Sequence, residues 1–142
     1  MTLQQWMLLL FEDGIIHNES VQFALEFAKR MQYSILILML AEYLVGDLVK
    51  FQEIESNLAQ TGEIFKQEGI RIQSEIRRGD KASQFLKHMA VNSAPMAIVW
   101  GSDEKIETGK RRKKTDHWFS KVRSQIQCPI VAPRARKNPE KN

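Results

Sequence analysis

The sequence predicts a three-layer α/β fold: a doubly wound, five-stranded parallel sheet in the order 3-2-1-4-5, with helices on both faces. Apolar runs and amphipathic stretches alternate through residues 5–133, and strict strand–helix alternation calls for a parallel sheet with right-handed crossovers. Two runs, Trp6–Phe11 and Ile35–Leu40, are apolar at every position, as strands buried on both faces are. In a third, Ile70–Arg77, Ile70, Ile72, Ser74 and Ile76 alternate with Arg71, Gln73, Glu75 and Arg77, which marks a strand with one wet face at a sheet edge. Continuous runs in the middle and the alternating one outside give the order 3-2-1-4-5, whose switch point lies between strands 1 and 4.

The elements follow in turn. Trp6–Phe11 is the first strand, stopped by Glu12-Asp13-Gly14. Ser20 or Asn18 is expected to cap a helix with Val21, Ala24, Leu25, Ala28 and Met31 on its apolar face. After the second strand, Asp47 opens a long helix. Its stripe of Phe51, Ile54, Leu58 and Phe65 has helical spacing, and Gly69 suits the position just past its end. Gly79-Asp80 reads as turn and cap for a third helix bearing Ala82, Phe85, Leu86, Met89 and Ala90. Pro95 precedes the fourth strand, Met96–Trp100. Thr115 or Asp116 caps a fourth helix with Trp118, Phe119, Val122 and Ile126, which Pro129 ends. Ile130–Ala132 is a short last strand.

With 142 residues the chain suits one domain, residues 1–133, followed by a basic tail, 134–142, expected to be disordered. A single cysteine, Cys128, excludes an intrachain disulfide framework, and no Cys/His cluster has zinc spacing. His17, His88 and His117 are scattered and read as surface or structural histidines. The N-terminus lacks a basic segment before a long apolar core, and residues 35–41 are too few to span a bilayer. A cytoplasmic, reducing setting is the expectation. The formal charge of +4 is uneven. Lys105, Lys110, Arg111, Arg112, Lys113 and Lys114 crowd the loop after strand 4, and four more cations lie in the tail, leaving the rest net acidic. Open α/β sheets place ligands at the carboxyl ends of their strands, so this loop is the first candidate binding element.

Four stretches carry a resemblance: L-L-L-F-E-D ending in Asp13, F-A-L-E-F-A-K-R-M in the first helix, G-D-K-A-S-Q-F-L at the third, and A-I-V-W-G-S followed at a fixed distance by V-R-S-Q-I-Q-C-P-I-V-A-P. Together they make the chain resemble the universal stress proteins over nearly all of residues 5–133. The resemblance implies a homodimer paired through the C-terminal edge strand, a stress-response or regulatory role, and in many members bound ATP, with Mg2+. The family's loop after strand 4 looks like G-x2-G-x9-G-[S/T]. Here Gly101 fits the first position and Thr115 the last, while Glu104 and Lys114 stand in place of glycines. Glycine permits left-handed angles and close approach to an anion. Glu104 removes that freedom and adds repulsion, whereas Lys114 offers a phosphate contact. Asp13 stands where the family's strand-1 aspartate meets the nucleotide, and Met39, Leu40 and Ala41 would line the adenine side. The expected nucleotide site is thus Asp13, Leu40, Gly101, Lys114 and Thr115, in altered form.

No nucleophile–base pair or carboxylate pair at a recognisable spacing emerges, so an enzyme reading rests on the weak ATP hydrolysis the resemblance allows. Nothing near Cys128 activates a thiol. No aromatic residue interleaves Lys110–Lys114, so base stacking has no platform, which argues against nucleic acid. Gly109-Lys110 does not complete a P-loop, because Glu104 stands where its first glycine would be. Two further readings stay open: a protein-contact module of the same fold, and, ranked below it, a nucleic-acid or polyanion binder using loop and tail.

Overall fold

The computed structural model describes residues 5–42, 46–102 and 118–133. Its elements run β1 (Trp6–Glu12), α1 (Asn18–Met31), β2 (Ser34–Ala41), α2 (Leu48–Gln67), β3 (Ile72–Arg78), α3 (Lys81–Val91), β4 (Ile98–Trp100), α4 (Trp118–Val122) and β5 (Ile130–Val131). The strands form one sheet in the order β3-β2-β1-β4-β5, and every neighbouring pair is parallel. The fold class and strand order agree with the sequence expectation.

Strand periodicity sorts the core into two layers. Met7, Leu9 and Phe11 of β1, with Ile35, Ile37 and Met39 of β2, face one cluster with Val21, Ala24, Leu25 and Ala28 of α1 and Ile54, Leu58 and Phe65 of α2. Leu8 and Leu10, with Leu38 and Leu40, face the other, built with Phe85 of α3, Phe119 and Val122 of α4, and Ile98 and Trp100 of β4. Met7 through Phe11 are all fully buried. That is why the run carries no polar residue until Glu12.

The alternating strand is at the edge, as its pattern requires, but its polar face is not simply wet. Register pairs Gln73, Glu75 and Arg77 with Leu36, Leu38 and Leu40, so this row points toward α3. There α3 presents Gln84 and His88, four residues apart and hence on one face. Arg77 donates to Gln84 Oε1 at 3.2 Å, and His88 Nδ1 lies 3.0 Å from Glu75 Oε1. On the opposite face the Arg78 guanidinium stacks 4.9 Å from the Phe51 ring centroid of α2, a cation–π contact. The strand's two faces therefore meet different chemistry, a polar ladder on one side and an apolar layer on the other.

Helix ends depart from expectation in three places. The N-cap of α1 is His17, not Asn18 or Ser20. Its carbonyl accepts from the N–H groups of Ser20 and Val21, so Ser20 is already inside the first turn and fully buried. Met31 is exposed rather than core, and the end of α1 is instead held by Phe27, which is stacked on Phe23 and edge-on to Tyr33. The last helix is shorter than read: α4 ends at Val122 and tightens into a 3-10 turn at Arg123–Gln125. Ile126 is extended there, yet still packs on the second cluster. Asp47 and Asp80 do cap α2 and α3, accepting from Lys50 N at 3.0 Å and Ser83 N at 2.9 Å. Gly69, with φ of 80°, follows α2 as a left-handed residue. The expected caps Thr115 and Asp116 lie outside the described residues.

His88 is fully buried. The Glu75 carboxylate accepts only, so Nδ1 carries the proton, while the Asn92 side-chain amide donates to the His88 carbonyl at 2.8 Å. Burial pushes the imidazole below its usual value. Glu75 opposes that shift and Arg77 adds to it. The other ring packed against it is Trp6 of β1, edge-on at 6.4 Å. A depressed folded-state value means that unfolding takes up a proton. The associated stability is complete above about pH 6.5 and is lost as pH falls below it toward the folded value. Melting temperatures measured from pH 7.5 to 5.5 are expected to fall more steeply for the parent than for His88→Gln. Parallel slopes would contradict the assignment.

Candidate functional site

The switch point opens where β1 and β4 end. At the end of β1 the chain turns through Asp13 and Gly14, with φ of 54° and 80°, and Ile15 N–H donates back to Glu12 O at 3.1 Å. Two successive positive φ values are the demand that selects Asp-Gly in tight turns of the I′ type. Asp13 N–H also donates to Leu40 O at 2.7 Å, which ties the turn to β2. Gly14 lies against α2: a Cβ there would come within 3.0 Å of Ile54 Cδ1.

On the α3/α4 side, Glu12 continues the row of Leu8 and Leu10 and is itself buried. Its Oε1 accepts from Lys81 Nζ at 2.9 Å and from Trp118 Nε1 at 2.8 Å. Lys81 also reaches Asp13 Oδ2 at 2.6 Å. One lysine of α3 thus bridges the last carboxylate of β1, Glu12, and that of the turn after it, Asp13, and the first residue of α4 holds the same buried Glu12 oxygen. Burial alone would lower the Lys81 value, but its hydrogen bonds and charge interactions with Asp13 and Glu12 outweigh it and hold the ammonium above the ordinary lysine range. Only 11% of the Lys81 side chain is exposed, against 47% for Asp13. Asp13 therefore presents the accessible carboxylate of the group.

Gly101 forms the opposite lip, its N–H donating to Leu10 O at 2.8 Å. A Cβ at this position would lie 2.5 Å from Phe11 Cε1 and 2.8 Å from the Leu10 carbonyl oxygen. Packing of β4 on β1 requires glycine here, whether or not an anion approaches. Leu40 is fully buried in the second cluster. What it offers the crevice is backbone, and its carbonyl is already engaged by Asp13. Lys114, Thr115, Glu104 and the cations Lys105–Lys113 lie outside the described residues. Cys128 is half-buried, and burial raises its thiol above the usual value, away from nucleophile chemistry. Among the described residues, no group of three or more His, Cys, Asp or Glu could hold a metal ion, and no helix is long and apolar enough to cross a membrane.

The structure thus brings Asp13 and Gly101 to the carboxyl ends of the neighbouring strands β1 and β4, and it gathers beside Asp13 three residues whose roles differ from their sequence reading: Glu12, read as part of the stop after the first strand, Trp118, read as an apolar position of the last helix, and Lys81, which was passed over. Two signals were available. Glu12 has the same strand parity as Leu8 and Leu10, so its carboxylate points into a buried layer and needs a partner. Lys81 opens a helix, where the positive end of the backbone dipole disfavours a cation unless acids stand nearby.

Replacing Lys81 by Met takes the ammonium away from the buried Glu12 carboxylate. The expected loss is about 3 kcal/mol of unfolding free energy, read by urea denaturation. Adding Glu12→Gln to Lys81→Met is expected to recover most of it, since the charge is removed with its partner. A single variant within about 0.5 kcal/mol of the parent would mean that the bridge carries no weight.

No family model matches the chain. No curated protein matches it either. Solved structures do. A protein of the universal stress protein family from Burkholderia pseudomallei superposes with a TM-score of 0.59 at 15% identity, covering 89% of this chain and 93% of that one. A universal stress protein from Archaeoglobus fulgidus gives a TM-score of 0.61 at 14% identity, covering 92% and 93%. With the strand order and parallel pairing described above, these matches establish that the chain has the fold of the universal stress proteins.

Proposed function

We propose that this chain is a universal-stress-type binding module whose crevice between β1 and β4 takes an adenine nucleotide or a related anion. The carrying observation is the pairing of Asp13 and Gly101 across the switch point of an open parallel sheet, the position where such folds place ligands. Asp13 is the half that fits: its partly exposed carboxylate is an acceptor suited to a ribose hydroxyl or an amine. The phosphate half does not come from the described residues. Glu12 and Asp13 with Lys81 leave that part of the crevice one charge negative, so a phosphate depends on Lys114, Thr115 and the cations of the loop. Mg2+ would ease the same repulsion by screening the phosphates.

Self-association completes the proposal. β5 is the edge of the sheet beside β4, and an unpaired edge is a template for a second copy across a two-fold axis. With its single cysteine, the protein is proposed to work as a cytoplasmic homodimer in a stress-response or regulatory role. A second reading, a protein-contact module without nucleotide, draws on Leu48 and Val49, which stand two-thirds exposed at the start of α2.

Native mass spectrometry of the purified protein reads dimer mass and co-purified nucleotide together, and thermal-shift titration with ATP, ADP and AMP plus Mg2+ ranks the ligands. Nucleotide is expected to raise the melting temperature. Glu104→Gly is expected to tighten binding about fivefold, the effect of removing roughly 1 kcal/mol of repulsion. A monomer with no shift at millimolar nucleotide would overturn the proposal. A dimer with no shift would favour the protein-contact reading.

A further inference from the structure

The opposite, amino end of the sheet holds a second concavity that the crevice does not use. It continues the polar ladder between β3 and α3. Arg77 meets Gln84 and Glu75 meets His88, and the next rung would join Gln73 to Asn92. The Asn92 amide instead turns back to its own helix at the His88 carbonyl. A cavity of about 230 Å³ opens at this point, lined by Gln73, Asn92, Trp6, Ser34, Leu36 and Arg71 among others.

Its lining is specific. The Trp6 indole is fixed as one wall, because Nε1–H donates to Ser93 Oγ at 3.0 Å. Ser34 is 9% exposed, and its Oγ is buried with no hydrogen-bond partner among the described residues. A buried hydroxyl left unpaired costs about 1–3 kcal/mol, so an occupant that bonds to it recovers that cost. Among the described lining residues Arg71 is the one charged side chain, with no acid beside it in the lining. Arginine presents a planar fork matched to carboxylate oxygens. The volume exceeds the roughly 150 Å³ of a cavity that admits benzene, leaving room for one polar substituent.

We propose that this cavity binds a small carboxylate with a flat apolar body, of about the size of benzoate. The carboxylate pairs with Arg71 and accepts from Ser34 Oγ once that hydroxyl rotates toward the cavity, while the body lies along Trp6 and Leu36. This site is independent of the nucleotide proposal, since it lies at the other end of the strands and shares no residue with the crevice.

Benzoate is the probe and benzamide its uncharged counterpart, each titrated into the full chain and followed by the Trp6 indole N–H signal in heteronuclear NMR. Benzoate is expected to shift that signal saturably, with benzamide at least about tenfold weaker. Arg71→Gln, at an exposed rim position, is expected to remove the preference for benzoate. Ser34→Val, which fills space and deletes the hydroxyl, is expected to abolish binding of both. Lys50→Gln, a distant charge change on α2, is expected to leave the titration unaltered. Equal binding of the two probes, no saturable shift by about 10 mM benzoate, or a preference that survives Arg71→Gln would overturn the proposal.

Discussion

Lys81 stands between Glu12 and Asp13, 2.9 Å from one carboxylate oxygen and 2.6 Å from the other. Through that contact α3 is tied to the end of the central strand, and Trp118 ties α4 to the same Glu12 oxygen. A charge buried without a partner is costly, and a pair broken on one side is strongly destabilising. The cluster therefore fixes how the α3/α4 layer sits over the carboxyl end of the sheet. It also sets the electrostatics at that end of the sheet, where Lys81 is already committed to two acids.

The two helical layers are held by different means. On the α1/α2 side, Met7, Leu9 and Phe11 meet aliphatic and aromatic side chains, a contact that depends on shape and area. On the α3/α4 side the centre is also apolar, with Trp100, Phe85, Phe119 and Trp118 making ring contacts 4.8–6.0 Å apart. Its margins, however, are polar. Glu12 and Lys81 close it at the carboxyl end, and Glu75 and His88 close it beneath β3. Directional bonds fix register in a way that apolar contact alone does not. The amino-end cavity sits where that polar series runs out of partners.

Much of the fold was legible because buried parallel strands write themselves as continuous apolar runs. Trp6–Phe11 and Ile35–Leu40 announced the centre of the sheet, and the alternation of Ile70–Arg77 announced an edge. Asp47 and Asp80 announced helix starts by their capping chemistry. What stayed hidden was the pairing of polar groups across elements. Nothing in the spacing of Glu12 and Lys81, 69 positions apart, says that they touch, and the structure was needed to show that the wet face of β3 is met by α3. Gly101 was legible as a required glycine, and the Phe11 ring and the Leu10 carbonyl impose that requirement whether or not an anion approaches. Asp13 is likewise explained by its turn, so its sequence identity alone could not separate a turn residue from a ligand contact.

The central claim is that a lysine from α3 is locked into the acidic floor of the crevice. Heteronuclear NMR of the lysine side-chain ammonium groups tests this directly. A hydrogen-bonded, largely buried ammonium exchanges its protons slowly with water. The Lys81 group is therefore predicted to give a resolved signal near neutral pH, coupled to the side chains of Glu12 and Asp13, while exposed lysines such as Lys50 exchange too fast to appear. A Lys81 ammonium that exchanges as fast as Lys50 would contradict the account.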